Sequence, residues 1–154
     1  MFIKIWQDIK RKKFAPLYLL YGEEKFLIEE TKNLIIQEAL GEDAIDLNLN
    51  TYDMEEVPVE VAVEDCETIP FFGERKVVII QNPFFLTAEK GKEKVEHNVQ
   101  TLEQYIGNPV STTILIIVAP YEKLDARKRL TKSLKKEAVI LDASELSERD
   151  TIQL

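Results

Sequence analysis

The 154-residue chain is short of the residues that most enzymes and metal sites are built from. It has one cysteine, Cys66, so no internal disulfide can form. One histidine, His97, beside one cysteine argues against a His/Cys zinc site. A Ser-His-Asp or Cys-His catalyst would have to use His97, and no Gly-x-Ser-x-Gly elbow is present. Only 5 glycines and 6 prolines occur, which excludes collagen-like and low-complexity classes. No run nears the roughly 18 apolar residues of a membrane span. Met1 to Lys12 also lacks the apolar block and cleavage site of a signal peptide. The chain therefore reads as soluble and cytoplasmic.

Positive charge is missing from one whole stretch. Between Lys32 and Arg75 there is no Lys or Arg, while twelve acids fall there. The net charge is −8, against the basic balance usual for a nucleic-acid binder. The basic residues gather elsewhere. Residues 121 to 137 hold seven bases against three acids, and Lys10 to Lys13 form a basic run. That run suits a solvated helix C-terminus or a specific contact. Direct DNA contact is expected to be weak or indirect, since the acidic stretch opposes a phosphate backbone.

Enough is present to bury a core, with 45% of residues hydrophobic. Phe2, Ile5, Trp6 and Ile9 share one face of a helix over residues 2 to 10. Leu17 to Tyr21 is a short apolar strand, and residues 23 to 40 read as a helix stopped by Gly41. Ile45 to Thr51 alternates strictly, which predicts an edge strand with one face in water. Asp53 and Glu56 resemble a capping box, and Pro58 suits a first helical turn. Val59, Ala62, Val63 and Cys66 follow at helical spacing, which puts Cys66 on the buried face as a small apolar residue rather than a reactive thiol. Val77 to Ile80, Ile114 to Val118 and, more weakly, Ala138 to Leu141 are further strands. One helix between them carries Val95, Val99, Leu102 and Ile106; another, about 127 to 136, is anchored by Leu130 and Leu134.

Strands alternating with helices predict an α/β fold with a parallel sheet and right-handed crossovers. The wholly apolar strands belong inside and the alternating one at an edge. A five-stranded order of 5-1-4-3-2, flanked by helices, satisfies both demands. That order resembles AAA+ ATPase cores of the P-loop class. Residues 1 to 143 form this domain, and 144 to 154 read as the start of a second, truncated lid domain.

A functional nucleotide site is not expected. A phosphate-binding turn needs Gly-x-x-x-x-Gly-Lys-[Ser/Thr] after the first strand. Here that turn is Gly22-Glu23-Glu24-Lys25, without the second glycine or the Lys-[Ser/Thr] pair. Glu23 and Glu24 would satisfy the helix dipole themselves and repel phosphate. Strand 3 ends in Gln81-Asn82, with no magnesium-holding carboxylate, and Ala119-Pro120 supplies no polar sensor. Lys25 alone is an ordinary helix-surface lysine. Neighbouring carboxylates such as Asp43 with Asp46, or Glu64 with Asp65, have no converging partner in the sequence pattern. No cofactor or metal is implied.

The unusual feature is the turn Glu67-Thr-Ile-Pro-Phe-Phe-Gly-Glu-Arg75. Two phenylalanines sit between a stiffening proline and a freeing glycine. Phe71 and Phe72 either fold back as a lid on the core or stand out as a partner anchor. Pro83-Phe84-Phe85-Leu86, at the other end of the same strand, reads more readily as a lid.

Two segments carry a family resemblance: Pro16-Leu-Tyr-Leu-Leu-Tyr-Gly-Glu-Glu-Lys-Phe-Leu-Ile-Glu-Glu30 and Ile69-Pro-Phe-Phe-Gly-Glu-Arg-Lys-Val-Val-Ile-Ile80. Together they resemble the delta subunit of the bacterial DNA polymerase III clamp loader, whose first domain the chain would span. The resemblance implies an AAA+-like domain without a working nucleotide site. It implies a hydrophobic plug that binds the sliding clamp (the beta subunit) and helps open the ring during DNA replication. Carried over by position, Phe71 and Phe72 are the plug, within a clamp-binding turn of Ile69, Pro70 and Gly73. Some members are similar to a Leu-Phe pair, and Phe71 departs from that version. Other clamp-loader subunits would be met through C-terminal domains beyond this chain. Two alternatives remain from the residues alone: an inactive AAA+-like scaffold docking onto active ATPase subunits, and a nucleotide-independent enzyme on a Rossmann-like sheet.

Overall fold

The computed structural model describes residues 2–42, 44–70, 73–88 and 95–144. In chain order the elements are α1 (Phe2–Lys10), β1 (Leu17–Tyr21), α2 (Lys25–Ala39), α3 (Ile45–Asn48), β2 (Leu49–Asp53), α4 (Val59–Glu67), β3 (Lys76–Gln81), a 3-10 turn (Phe84–Leu86), α5 (Val99–Gly107), β4 (Thr113–Ala119), α6 (Arg129–Glu137) and β5 (Val139–Asp142). The strands form one sheet of order β2-β3-β4-β1-β5, and every pairing is parallel. This is the order expected from the apolar runs, read from the opposite edge. No helix among the described residues is long and apolar enough to cross a membrane.

Alternate residues of each strand feed two cores. Leu17 and Leu19 with Val78, Ile80, Leu115 and Ile117 pack under α4, α5 and α6. Tyr18 and Leu20 with Val77, Ile79, Ile114 and Ile116 pack under α1 and α2. Each fully buried Leu or Ile contributes roughly 1.5–3 kcal/mol. Central strands buried on both faces therefore have to be apolar throughout, as β3 and β4 nearly are.

The second strand starts later than the alternation predicts. Ile45–Asn48 is a helical turn, closed by Leu47 and Asn48 N–H groups donating to the Ala44 carbonyl at 3.2 and 2.8 Å. Asn48 is buried and donates its side-chain N–H to the Arg75 carbonyl at 2.9 Å, while Leu47 is 49% exposed. The alternating pattern would have buried Leu47 and exposed Asn48. Over four residues a period of two and a helical turn make similar demands, and the Asn48 bond decides between them. β2 runs Leu49–Asp53 and keeps its place at the edge.

The capping box is corrected too. Asp53 Oδ1 accepts from the Glu55 N–H, and the Asp53 carbonyl accepts from Glu56 and Val57 N–H groups, which makes a turn instead of a helix start. α4 opens at Val59, whose N–H donates to His97 Nδ1 at 2.9 Å. His97 Nε2 in turn donates to the Met54 carbonyl at 3.0 Å. The single histidine thus caps a helix from 38 residues away. Both ring nitrogens are spent on backbone, and neither is left to act as a general base. Phe84 and Phe85 pack against this ring at 5.8 and 5.1 Å, and Phe85 is buried in the core, in keeping with the lid reading.

Candidate functional site

The aromatic turn leaves α4 and enters β3 at the amino-terminal end of the sheet. Phe71 and Phe72 lie outside the described residues. The residues flanking them are described. Ile69 is 82% exposed, an unusual state for an isoleucine, and few other large hydrophobics are exposed among the described residues. Pro70 is half-buried. Gly73 adopts φ +76°, a left-handed conformation that favours glycine.

The base of this turn is a polar clamp. Lys76, the first residue of β3, is 5% exposed. Its ammonium donates to the Asp65 carboxylate, to the Asp65 carbonyl at 2.6 Å and to Thr68 Oγ1 at 2.7 Å. The other carboxylate oxygen, Asp65 Oδ2, accepts from Asn50 Nδ2 at 2.8 Å and Tyr52 OH at 2.7 Å. Burial pushes the Asp65 carboxyl up, but the hydrogen bonds from Lys76 and Tyr52 and the Lys76 charge outweigh it and hold it below the usual range. Burial, then the Asp65 carboxylate, pushes the Tyr52 phenol up. Thr113 Oγ1 donates to the Cys66 carbonyl at 2.8 Å, and Asn48 holds the Arg75 carbonyl. The Arg75 guanidinium lies 4.9 Å over the Phe14 ring. Both ends of the turn are thereby fixed to the sheet.

Sequence reasoning missed this clamp. It weighed Asp65 only with Glu64, whereas the carboxylate is committed to Lys76, Tyr52 and Asn50. The available signal was a lysine opening a wholly apolar strand, since a buried lysine needs a partner. Of the other suggested pair, Asp43 with Asp46, Asp43 lies outside the described residues and Asp46 is exposed.

The turn after β1 is closed by the chain itself. Gly22 N–H donates to the Ala119 carbonyl at 3.2 Å, and Glu24 N–H donates to the Ala143 carbonyl at 2.9 Å. In a phosphate-binding turn such amides face the ligand. Here the Glu24 amide is occupied, and exposed Glu23 and Glu24 surround it with negative charge. Lys25 opens α2 on the surface, and Asn82 turns its amide to Asp53 Oδ1 at 3.1 Å. Calorimetry with Mg-ATP is expected to give no binding at millimolar nucleotide. A dissociation constant of tens of micromolar or tighter would contradict that.

Gly22 is needed for packing. Its φ is +124°, and a Cβ would sit 2.3 Å from the Ala143 carbonyl carbon and 2.4 Å from the Ser144 nitrogen. Those are backbone atoms, so no side chain can swing aside. Gly22→Ala is expected to destabilise by about 2–3 kcal/mol, from strained φ and overpacking together. A urea midpoint equal to wild type would refute this.

Cys66 is fully buried, and burial pushes its thiol up to about 12. It is a packing residue, as its helical spacing predicts. Among the described residues no group of three or more His, Cys, Asp or Glu is placed to hold a metal ion.

With this geometry in hand, the relatives are informative. A family model described as DNA polymerase III, delta subunit, matches residues 18–144. The chain belongs to the DNA polymerase III delta subunit family. It is 48% identical over 151 residues to the DNA polymerase III subunit delta of Bacillus subtilis, covering 98% of this chain and 44% of that protein. Its structure is similar to the DNA clamp loader delta protein of the same organism, with TM-score 0.93 and 47% identity over 99% of this chain and 45% of that one. The chain thus spans less than half the length of these relatives. A DNA polymerase III gamma subunit-related protein of Thermotoga maritima superposes with TM-score 0.60 over 96% of this chain and 46% of that one. At 9% identity it shares the fold alone. The β2-β3-β4-β1-β5 order of this chain is the one its apolar strand pattern predicts.

Proposed function

We propose that this domain binds the DNA polymerase III sliding clamp through the turn from Ile69 to Gly73, with Phe71 and Phe72 as the plug, and helps open the ring. The observation that carries the reading is Ile69, 82% exposed beside a base pinned by the Asp65–Lys76 pair. A rigid base beside an exposed apolar residue lowers the entropy lost on docking. An open cavity of about 470 Å³ beside it, lined by Leu47, Asn50, Thr68, Ile69 and Pro70, offers further contact area.

The domain is not an enzyme on this reading. His97, Cys66 and Asp65 are each committed to the fold, and the turn after β1 is blocked by Ala143. The test is surface plasmon resonance of the full-length subunit over immobilised clamp. Saturable binding is expected without nucleotide; no binding by the folded subunit overturns the proposal. Capture of ATPase subunits without the clamp would favour the scaffold reading instead.

A further inference from the structure

Building on the clamp-binding reading, we propose that the clamp meets this domain at a second point, a groove walled by Leu47 and Ile69 that receives an apolar side chain of the clamp flanked by a cation. Four large hydrophobics are exposed among the described residues: Phe26, Leu47, Val61 and Ile69. Leu47, from α3, and Ile69, from the turn before β3, line the same open cavity of about 470 Å³, with Pro70 beside them. That volume falls within the roughly 300–1,000 Å³ of ordinary ligand pockets, so whole side chains fit. Apolar residues scattered singly over a surface need no explanation, but two facing one groove from separate segments mark a docking surface.

The floor of the groove selects for an apolar occupant. Its polar groups are bonded within the chain. The Lys76 ammonium is held by Asp65 and Thr68 Oγ1, Asn50 Nδ2 donates to Asp65 Oδ2, and Asn48 Nδ2 donates to the Arg75 carbonyl. A phosphate or a sugar would have to break these bonds to make its own. An apolar side chain rests between Leu47, Ile69 and Pro70 with all of them intact. The rim carries one sign of charge. Asp46 adjoins Leu47 and Glu67 adjoins Thr68, and both acids are exposed. Of the described residues lining the groove only Lys76 is a cation, and it is buried and paired with Asp65. A cation beside the incoming apolar side chain is therefore drawn in, and an anion is repelled.

The clamp is the occupant because the groove is continuous with the turn read as its plug. Ile69 is both a wall of the groove and the first residue of that turn. The groove floor is the same Asp65–Lys76 pair that fixes the base of the turn, so the two contacts belong to one rigid body. A single plug leaves the domain free to swivel about it. A second point on the same base fixes the angle at which the domain meets the ring and gives it a lever on the ring.

The test is surface plasmon resonance of full-length subunit variants over immobilised clamp, with the urea midpoint of each variant measured in parallel. Leu47→Ala should weaken binding about five- to tenfold, chiefly through faster dissociation, at an unchanged midpoint. Leu47→Arg, which sets a cation against the incoming one, should weaken it at least about thirtyfold. Asp46→Asn with Glu67→Gln should slow association at least about threefold at about 50 mM KCl, and the difference should vanish at about 500 mM. Phe26→Ala removes an exposed hydrophobic at the start of α2, towards the opposite end of the parallel strands, and should leave affinity within about twofold of wild type. The proposal is overturned if Leu47→Ala and Leu47→Arg both bind within about twofold of wild type, or if Phe26→Ala loses as much as Leu47→Ala. It is also overturned by a Leu47→Ala midpoint that falls in step with affinity, or by an unchanged association rate in the Asp46/Glu67 variant at low salt. A Leu47→Arg subunit that binds the clamp normally but no longer assembles with other loader subunits overturns it as well. The double change Phe71→Ala/Phe72→Ala keeps the two readings apart. If that variant loses the clamp while the Leu47 variants keep it, the plug stands and the groove fails. If it binds like wild type while Leu47→Arg does not, the groove stands and the plug fails.

Discussion

Replacing Phe71 and Phe72 together with alanine is expected to weaken clamp binding by about 3–5 kcal/mol, or roughly 200- to 5,000-fold. Burying one Phe side chain contributes roughly 1.5–3 kcal/mol, and aromatic anchors at interfaces commonly lose about 2 kcal/mol or more on truncation. Two adjacent anchors bring the sum into that range. The urea midpoint is expected to stay where it is. Ile69 before the pair is 82% exposed, and Gly73 after it is exposed as well. The lid reading makes the opposite forecast. Two phenylalanines removed from a core leave cavities worth several kcal/mol of stability, and clamp affinity falls only as far as the fold does. Surface plasmon resonance and urea unfolding on the same double variant separate the two. Lost affinity at an unchanged midpoint supports the plug. A folded variant that binds at near wild-type strength, or one that unfolds, ends the claim.

The architecture was legible because its signals are local and repeated. β1, β3 and β4 are short apolar runs that no exposed or helical role could use, and strand order followed from which runs could tolerate water. The helix carrying Val59, Ala62, Val63 and Cys66 declared its buried face by spacing alone, and all four are buried. The departures arise where a long-range bond overrides a local pattern. Asn48 is drawn inward by a carbonyl 27 residues away, so a predicted strand opens as a helical turn. His97 caps α4 across 38 residues, a role that no spacing rule encodes. The turn before β3 stood out by composition, because Pro-Phe-Phe-Gly is unlike an ordinary loop. The Asp65–Lys76 clamp beneath it was not visible, since its members come from β2, α4 and β3 and meet only once the sheet has formed.

That clamp sets the largest stability effect expected outside the apolar core. Lys76→Met is expected to destabilise the fold by about 3 kcal/mol, because it strands a largely buried carboxylate. The Lys76 side chain is 6% exposed and that of Asp65 13%, so solvent cannot replace the missing ammonium. Against a total stability of about 5–15 kcal/mol this is a large share. The second change Asp65→Asn, made in the Lys76→Met background, should recover part of the loss. The neutral side chain can still accept from Tyr52 and Asn50, and no unpaired charge remains. The pH dependence has a definite sign. In the wild type the Asp65 carboxyl is held below its ordinary value. Its stabilisation is therefore complete above the unfolded-state pKa of about 3.9 and is lost as pH falls through the lower, folded value. In Lys76→Met the main opposing partner is gone and burial raises the carboxyl. The gap between wild type and variant is then widest at neutral pH, and it narrows as pH falls from the variant's raised carboxyl value to the lower wild-type one. Urea midpoints measured from pH 3 to 7 test both statements. A variant within about 1 kcal/mol of wild type at pH 7, or a gap that widens on acidification, would show that the pair does not hold the turn.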